Sequence, residues 1–325
     1  MTIIVCPKCS RRHRMDTGKV TENRRILVRC KACSHKFPIY VSPTTASPQE
    51  TESPGLADNQ QGARKICVSL SKGGVGKTTT SVNLSAGLAM AGYKVLLVDT
   101  DTQGQSSFAL GKKTHVGLTE LLTGELAPEE SIIPARNNLW LLGGGRSLAG
   151  VKRIIDKKSF GAEWALSEAM EPLDKKFDYI IIDTSPGWDQ LTVNVLFYAT
   201  EVLTPVSLEV MSLHGLAEFT KSLHAIQKYK QVSLDFVLPT FLDTRVDQPL
   251  HIYEKLKSMY GDKVCEPIKY DEQFARCPSF GKTIFEFAPD GRGAADYREL
   301  IRRITKNSGA LGEKTPNSQT IVSSF

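Results

Sequence analysis

The sequence predicts an α/β protein, a mostly parallel twisted sheet with helices on both faces, preceded by a small cysteine-rich unit. Three observations carry that reading. Between residues 64 and 306, apolar runs of strand length alternate with segments of helical period, as crossover connections between parallel strands require. The first run, Ile66-Cys67-Val68-Ser69-Leu70, leads straight into a glycine-rich turn and then a helix-like segment. Ahead of all this, Cys6-Pro7-Lys8-Cys9 and Cys30-Lys31-Ala32-Cys33 repeat a C-x-x-C pair in a stretch too short to hold a core.

The chain has 325 residues, 41% of them hydrophobic, which suffices for one large core plus something small. No apolar run approaches the roughly 20 residues of a membrane span. The start, Met1-Thr2-Ile3-Ile4-Val5-Cys6-Pro7, lacks the basic and long apolar regions of a signal peptide, so a cytoplasmic protein without a stable membrane anchor is expected. Its seven cysteines are then expected to stay reduced. The formal charge of +6 permits nucleic-acid contact without requiring it.

Residues 1–41 read as a zinc ribbon. Cys6, Cys9, Cys30 and Cys33 have the spacing of a tetrahedral four-thiolate Zn²⁺ site built from two knuckles, and metal binding is expected to fold the segment. A thioredoxin-like redox reading competes for any single C-x-x-C, but its βαβ context is missing. With Val28-Arg29 before the second pair and Phe37 after it, the pattern resembles the zinc ribbons at the front of some bacterial regulatory proteins. The unit is basic: Lys8, Arg11, Arg12, Arg14, Lys19, Arg24, Arg25, Arg29, Lys31 and Lys36 stand against Asp16 and Glu22. Such charge suits nucleic acid or an acidic partner, and equally a solvated surface. Residues 42–63 turn to Pro, Ser, Thr, Gln and Glu without apolar period, a disordered linker with a reach of roughly 25 Å. Cys67, Cys265 and Cys277 read as scattered small apolar residues.

The turn Ser71-Lys72-Gly73-Gly74-Val75-Gly76-Lys77-Thr78-Thr79-Thr80 reads as a phosphate-binding loop. Its glycines let successive N–H groups from Gly73 to Thr79 face an anion, and the helix after it adds its positive end. Triphosphate is the natural guest, with Lys77 on the β- and γ-phosphates and the Thr78 hydroxyl on Mg²⁺. Ser81 to Ala91 has helical spacing and Gly92 ends it. Lys94 to Val98 reads as a second buried strand, with Asp99-Thr100-Asp101-Thr102-Gln103-Gly104-Gln105 at its carboxyl end, where ligands of open α/β sheets lie. Further on, Leu118 to Leu122 suggests a short helix, Asn138 to Leu142 a strand and Phe160 to Lys175 an amphipathic helix. Phe177 to Asp183 is an apolar strand ending in an acid. Glu201 to Ser207 and Leu234 to Phe241 read as strands, Leu213 to Tyr229 and Leu250 to Tyr260 as helices, and residues 307–325 as a polar, disordered tail.

Lys72 to Thr79 resembles the deviant Walker A loop, K-G-G-x-G-K-T-T, of the ParA/MinD family of ATPases. Asp99, Asp101, Gln103 and Gly104 match that family's D-x-D-P-Q-G-N loop, with Thr102 for its proline and Gln105 for its asparagine, and Asp183 matches its Walker B acid. Pro278 to Lys282 and Gly293 to Leu300 resemble further family segments, so the likeness covers an ATPase domain at 64–306. The resemblance implies a P-loop NTPase fold with ATP and Mg²⁺. It gives Asp183 a water of the Mg²⁺ shell, Asp101 the attacking water, and Lys72 the phosphates of a second subunit across a dimer.

Three other members of this superfamily fit less well. A MinD-type positioner would end in a basic amphipathic helix, a bacterial tyrosine kinase in a tyrosine cluster, and an iron–sulfur reductase would carry cysteines between Cys67 and Cys265; none of these features is present. ParA/Soj-type partitioning ATPases remain the nearest. They imply an ATP-dependent homodimer that binds DNA non-specifically, associates with the nucleoid and works with a ParB-like activator or cargo adaptor. Arg245, in Asp243-Thr244-Arg245, matches the family's D-x-R and is the first DNA candidate; the arginine of its P-R-N segment falls on Lys269-Tyr270-Asp271 and is missing. The alternative is a nucleotide-switched adaptor whose ribbon binds protein or RNA, without DNA-dependent positioning.

Overall fold

The computed structural model describes residues 2–6, 9, 11–15, 24–41, 62–156 and 161–306. The chain divides into two compact units, Met1–Gly55 and Leu56–Phe325. The linker expected at 42–63 lies outside the described residues as far as 61, and the tail expected at 307–325 lies wholly outside them.

In the first unit, β1 (Thr2–Val5) pairs antiparallel with β2 (Arg12–Met15), and β3 (Arg24–Arg29) with β4 (Lys36–Val41). In sequence, one C-x-x-C pair falls between the two strands of each hairpin. The two turns close alike: Cys6 N–H donates to Arg11 O at 2.9 Å and Cys30 N–H to His35 O at 2.8 Å. Among the described residues its buried apolar cluster is only Cys6, Cys30 and Phe37, too little to hold a fold by burial alone.

The second unit is built on an eight-stranded sheet. Its strands are β5 (Arg64–Val68), β6 (Val95–Asp99), β7 (Ile133–Arg136), β8 (Leu139–Leu142), β9 (Tyr179–Asp183), β10 (Glu201–Ser207), β11 (Ser233–Leu242) and β12 (Ile268–Lys269). They lie in the order β12-β11-β10-β5-β9-β6-β8-β7, parallel throughout except for the edge strand β7. Every residue of β6 and β9 is buried, which is why both read as unbroken apolar runs. Their side chains divide by alternation: Leu96, Val98, Ile180 and Ile182 enter one core, and Val95, Leu97, Tyr179 and Ile181 the other. Cys67, Cys265 and Cys277 are buried, as small apolar residues would be. No helix among the described residues is long and apolar enough to cross a membrane.

The helix expected at Phe160 to Lys175 is a correction. Residue 160 is not described, and residues 162–173 form three short pieces instead of one helix: a 3₁₀ turn Ala162–Trp164, a helix Ala165–Met170 and a second 3₁₀ turn Glu171–Leu173. Pro172, without an N–H and with a ring that crowds the preceding turn, stops the α-helix. The phosphate-loop helix runs Lys77–Met90 and so starts four residues ahead of Ser81, because the loop's last residues form its first turn. Helix Gln190–Tyr198 escaped the pattern altogether. It is buried on most sides, which erases amphipathic period, although Asp189 caps it by accepting Thr192 N–H at 2.8 Å.

Candidate functional site

The carboxyl ends of β5, β6, β9 and β11 meet at one cleft of about 510 Å³, a size that suits a nucleotide. Gly74 and Gly76 have φ of +74° and +89°, the left-handed region that glycine enters at no steric cost, and this turns the loop after β5 back on itself. Helix Lys77–Met90 starts immediately after Gly76, so its unpaired N–H groups point into the cleft, which Lys77, Thr78 and Thr79 help to line. Val75 is buried and its carbonyl accepts the Thr240 hydroxyl at 3.0 Å, tying the loop to β11.

Lys77 is nearly buried, and its Nζ lies across the loop, donating to Lys72 O at 2.7 Å. Burial pushes its pKa down, while the charges of Asp183 and Asp101 act in the opposite sense. Asp183 ends β9 in register with Asp99 on β6 and Val68 on β5. Its carboxylate accepts Ser81 Oγ at 3.1 Å and Ser106 Oγ at 2.9 Å. Burial raises the pKa of both acids, Asp99 further pushed by the charge of Asp183 and Asp183 partly relieved by the Thr78 hydroxyl. Two apposed carboxylates in a dry site favour a cation. The nearby Thr78 hydroxyl and Asp183 carboxylate form the hard oxygen set that Mg²⁺ prefers.

Asp99 also organises the loop after β6: Oδ1 accepts Asp101 N–H at 2.9 Å and Oδ2 accepts Ser106 N–H at 3.0 Å. Asp101 faces the cleft and itself accepts Gln103 N–H at 2.9 Å. Lys72 is turned elsewhere. Its Nζ donates to Glu209 Oε2 and to Ser212 Oγ, both at 2.9 Å, beside the exposed Val210 and Met211.

The structure thus brings Gly73, Gly74, Gly76, Lys77, Thr78, Thr79 and Asp101 to one cleft with Asp183 at its base, and leaves Lys72 at the rim. Arg245 is separate from them. It is 77% exposed after β11, and its guanidinium forks onto Asp243 at 2.8 and 2.7 Å, which holds that carboxyl down to about 2. Lys269, in the Lys269-Tyr270-Asp271 stretch where the arginine of the family's P-R-N segment would fall, is paired with Asp296 at 2.9 Å.

Sequence reasoning missed Ser81, Ser106, Glu209, Ser212 and Phe241. Ser81 stands four residues after Lys77 on one helix face, a signal that could have been used; the others come from distant segments. Phe241 lines the cleft with φ of +58°, an uncommon value for an aromatic residue, where the register of β11 against β12 shifts between Thr240 and Leu242.

In the first unit the four Sγ atoms of Cys6, Cys9, Cys30 and Cys33 lie within 4.8 Å of one another, with Cys6 to Cys33 and Cys9 to Cys30 both at 3.6 Å. A tetrahedron with Zn–S bonds of about 2.3 Å has edges of about 3.8 Å, so the cluster fits zinc closely. Against the upward push of burial, N–H donors from Cys33, Ala32 and His13 bring the Cys30 thiol down to about 5. Cys33, despite its own N–H donor from His35, is pushed up to about 12 by burial and the surrounding thiols.

A glycine loop on a helix N-terminus, with two acids on adjacent strand ends, defines a P-loop nucleoside triphosphatase. A family model described as an AAA domain matches residues 63–236. The chain is 36% identical over 250 residues to the sporulation initiation inhibitor protein Soj of Bacillus subtilis, covering 74% of this chain and 98% of that one. It is 34% identical over 260 residues to the chromosome partitioning protein ParA of Myxococcus xanthus, covering 75% and 90%. Among solved structures, cobyrinic acid a,c-diamide synthase from Mycobacterium smegmatis, with bound ATP analogue and magnesium, superposes with a TM-score of 0.67 at 29% identity over 78% of this chain and 98% of that one. The chain belongs to the ParA/MinD family, in its ParA/Soj branch, and is an ATPase.

Proposed function

We propose that this ATPase closes into a dimer around two ATP molecules, binds DNA without sequence preference in that state, and uses turnover to partition or position a cargo. The observation that carries the reading is Lys72. It belongs to the phosphate loop yet faces away from it, held by Glu209 and Ser212 next to exposed apolar side chains, where a second subunit's phosphates could reach it. The names of the relatives, one a chromosome partitioning protein, support the same role.

Within each cleft the loop N–H groups and Lys77 bind the phosphates, and Thr78 and Asp183 are the residues to hold Mg²⁺, which when bound offsets phosphate charge. Asp101 accepts a hydrogen bond from the attacking water and orients it. Phe241 offers a flat apolar wall for the base. A ParB-like activator or cargo adaptor would set the timing of turnover. Localisation is expected to be cytoplasmic and nucleoid-associated.

DNA binding tests this reading against the adaptor alternative. Binding to random-sequence duplex should require ATP and fall steeply with salt, since phosphate contacts release counterions. Arg245→Ala should weaken it uniformly across sequences and reduce the salt slope by about 1. DNA binding equally tight without nucleotide would assign it to the basic ribbon, where Arg11, Arg29, Lys31 and Lys36 are exposed.

For the ribbon we propose one Zn²⁺ on Cys6, Cys9, Cys30 and Cys33 and a role in addressing the ATPase to a partner. Metal analysis of the purified chain should give one zinc per chain, and a Cys30→Ser/Cys33→Ser variant should give none. Unchanged zinc in that variant would remove the assignment.

A further inference from the structure

We propose that the turn Gly143-Gly144-Gly145 after β8 is the seat that fixes the Asp101 loop, with Gly144 as a positioning residue for ATP hydrolysis; this rests on the role of Asp101 in orienting the attacking water. The turn touches that loop at backbone level. Gly145 N–H donates to Asp101 O at 3.0 Å, and the same carbonyl accepts Gly104 N–H at 3.1 Å, so one oxygen ties the seat to the loop's own return. A Cβ on Gly144 would stand 2.6 Å from Asp101 O, 2.7 Å from Asp99 O and 3.0 Å from Asp99 Oδ1. No side chain fits between the seat and the loop.

The seat cannot easily retreat, because its other side is equally close. Gly143 O accepts Leu118 N–H at 2.9 Å, a Cβ on Gly143 would meet the Thr114 side chain at 2.8 Å, and one on Gly117 would meet Gly143 O at 2.1 Å. Nor can Asp99 yield, since it ends β6 in register with Asp183. A methyl at Gly144 must therefore displace the softer partner, the loop carrying Asp101, by roughly half an ångström, about the tolerance of a catalytic group. Misplacement of about 1 Å can cost about 10² in rate. The phosphate loop lies on β5 and makes none of these contacts, so nucleotide affinity should be spared.

The experiment is steady-state ATP hydrolysis, nucleotide binding and thermal unfolding of the full chain with Gly144→Ala. The expected result is kcat lower by roughly 10- to 100-fold, with KM and ADP affinity within about twofold of the parent. Gly150→Ala, whose added methyl meets nothing within 4 Å, should behave as the parent does. If Gly144→Ala does not fold, Gly145→Ala decides: its methyl has open space, but the backbone at φ +132° is one that alanine avoids, so the bond to Asp101 O should loosen and kcat fall severalfold at constant KM. Parental kcat in the deciding variant overturns the proposal, as does loss of nucleotide binding in step with kcat, which would mark a merely structural turn. Asp101→Ala separates the two readings: if it hydrolyses ATP like the parent, the role of Asp101 fails; if it does not and Gly144→Ala does, only the seat fails.

Discussion

Lys77→Ala is expected to abolish nucleotide binding while leaving the fold in place. The side chain is nearly buried and crosses its own loop to Lys72 O, so its stem is already ordered where the β- and γ-phosphates would lie. Burial makes its charge costly, and the nearby Asp183 and Asp101 offset part of that cost. Truncating one partner of a desolvated charge contact costs about 2–5 kcal/mol, roughly 30-fold or more in affinity. Loss in this case should lie at the upper end, because Asp183, Asp101 and the triphosphate would face one another without the lysine between them. Calorimetry with a non-hydrolysable ATP analogue checks it. Binding within threefold of the parent would show that the loop N–H groups and metal suffice, and that Lys77 has been given too large a role.

The readability of this site in the sequence comes from how locally each part is built. The loop Lys72 to Thr79 is contiguous, and its glycines answer to backbone angles, so spacing alone predicted a phosphate cradle. Asp99 and Asp183 were findable because each ends a fully buried strand, and the pairing of β6 with β9 then aligns them. Glu209, Ser212 and Gly144 were not. They act across distant segments, and nothing in the sequence near Lys72 announces that its ammonium leaves the cleft for Glu209. A triglycine after a strand reads as a flexible turn until the carbonyls of Asp99 and Asp101 are seen against it. The same limit explains the helices. Leu148–Asp156 and Gln190–Tyr198 pack into the core beside β9 and β6 and were overlooked, the second because burial on most sides leaves no polar face to give the period away.

Lys72→Ala is expected to bind ATP as the parent does, yet remain monomeric and lose hydrolysis. Its Nζ makes no use of its own cleft, so ground-state affinity should survive its loss. What holds it is weak: the Glu209 carboxylate is 68% exposed, and an ion pair of that kind contributes about 0–1 kcal/mol. In the proposed dimer, a triphosphate on a second subunit, carrying several negative charges, would outcompete that single carboxylate. In the dimer Lys72 would then stabilise charge developing on the partner's phosphates, a contribution that for a cation delivered in trans amounts to about 10³–10⁵ in kcat. Asp101→Ala separates the two steps, since removing the group proposed to orient water should leave the proposed dimer contact intact; it should bind ATP and persist as a dimer. Light scattering of the two variants with ATP and Mg²⁺ reads both outcomes, a mass near one chain for Lys72→Ala and near two for Asp101→Ala. A Lys72→Ala protein that dimerises with ATP as the parent does would place the lysine outside the interface and leave its pairing with Glu209 as a surface contact only.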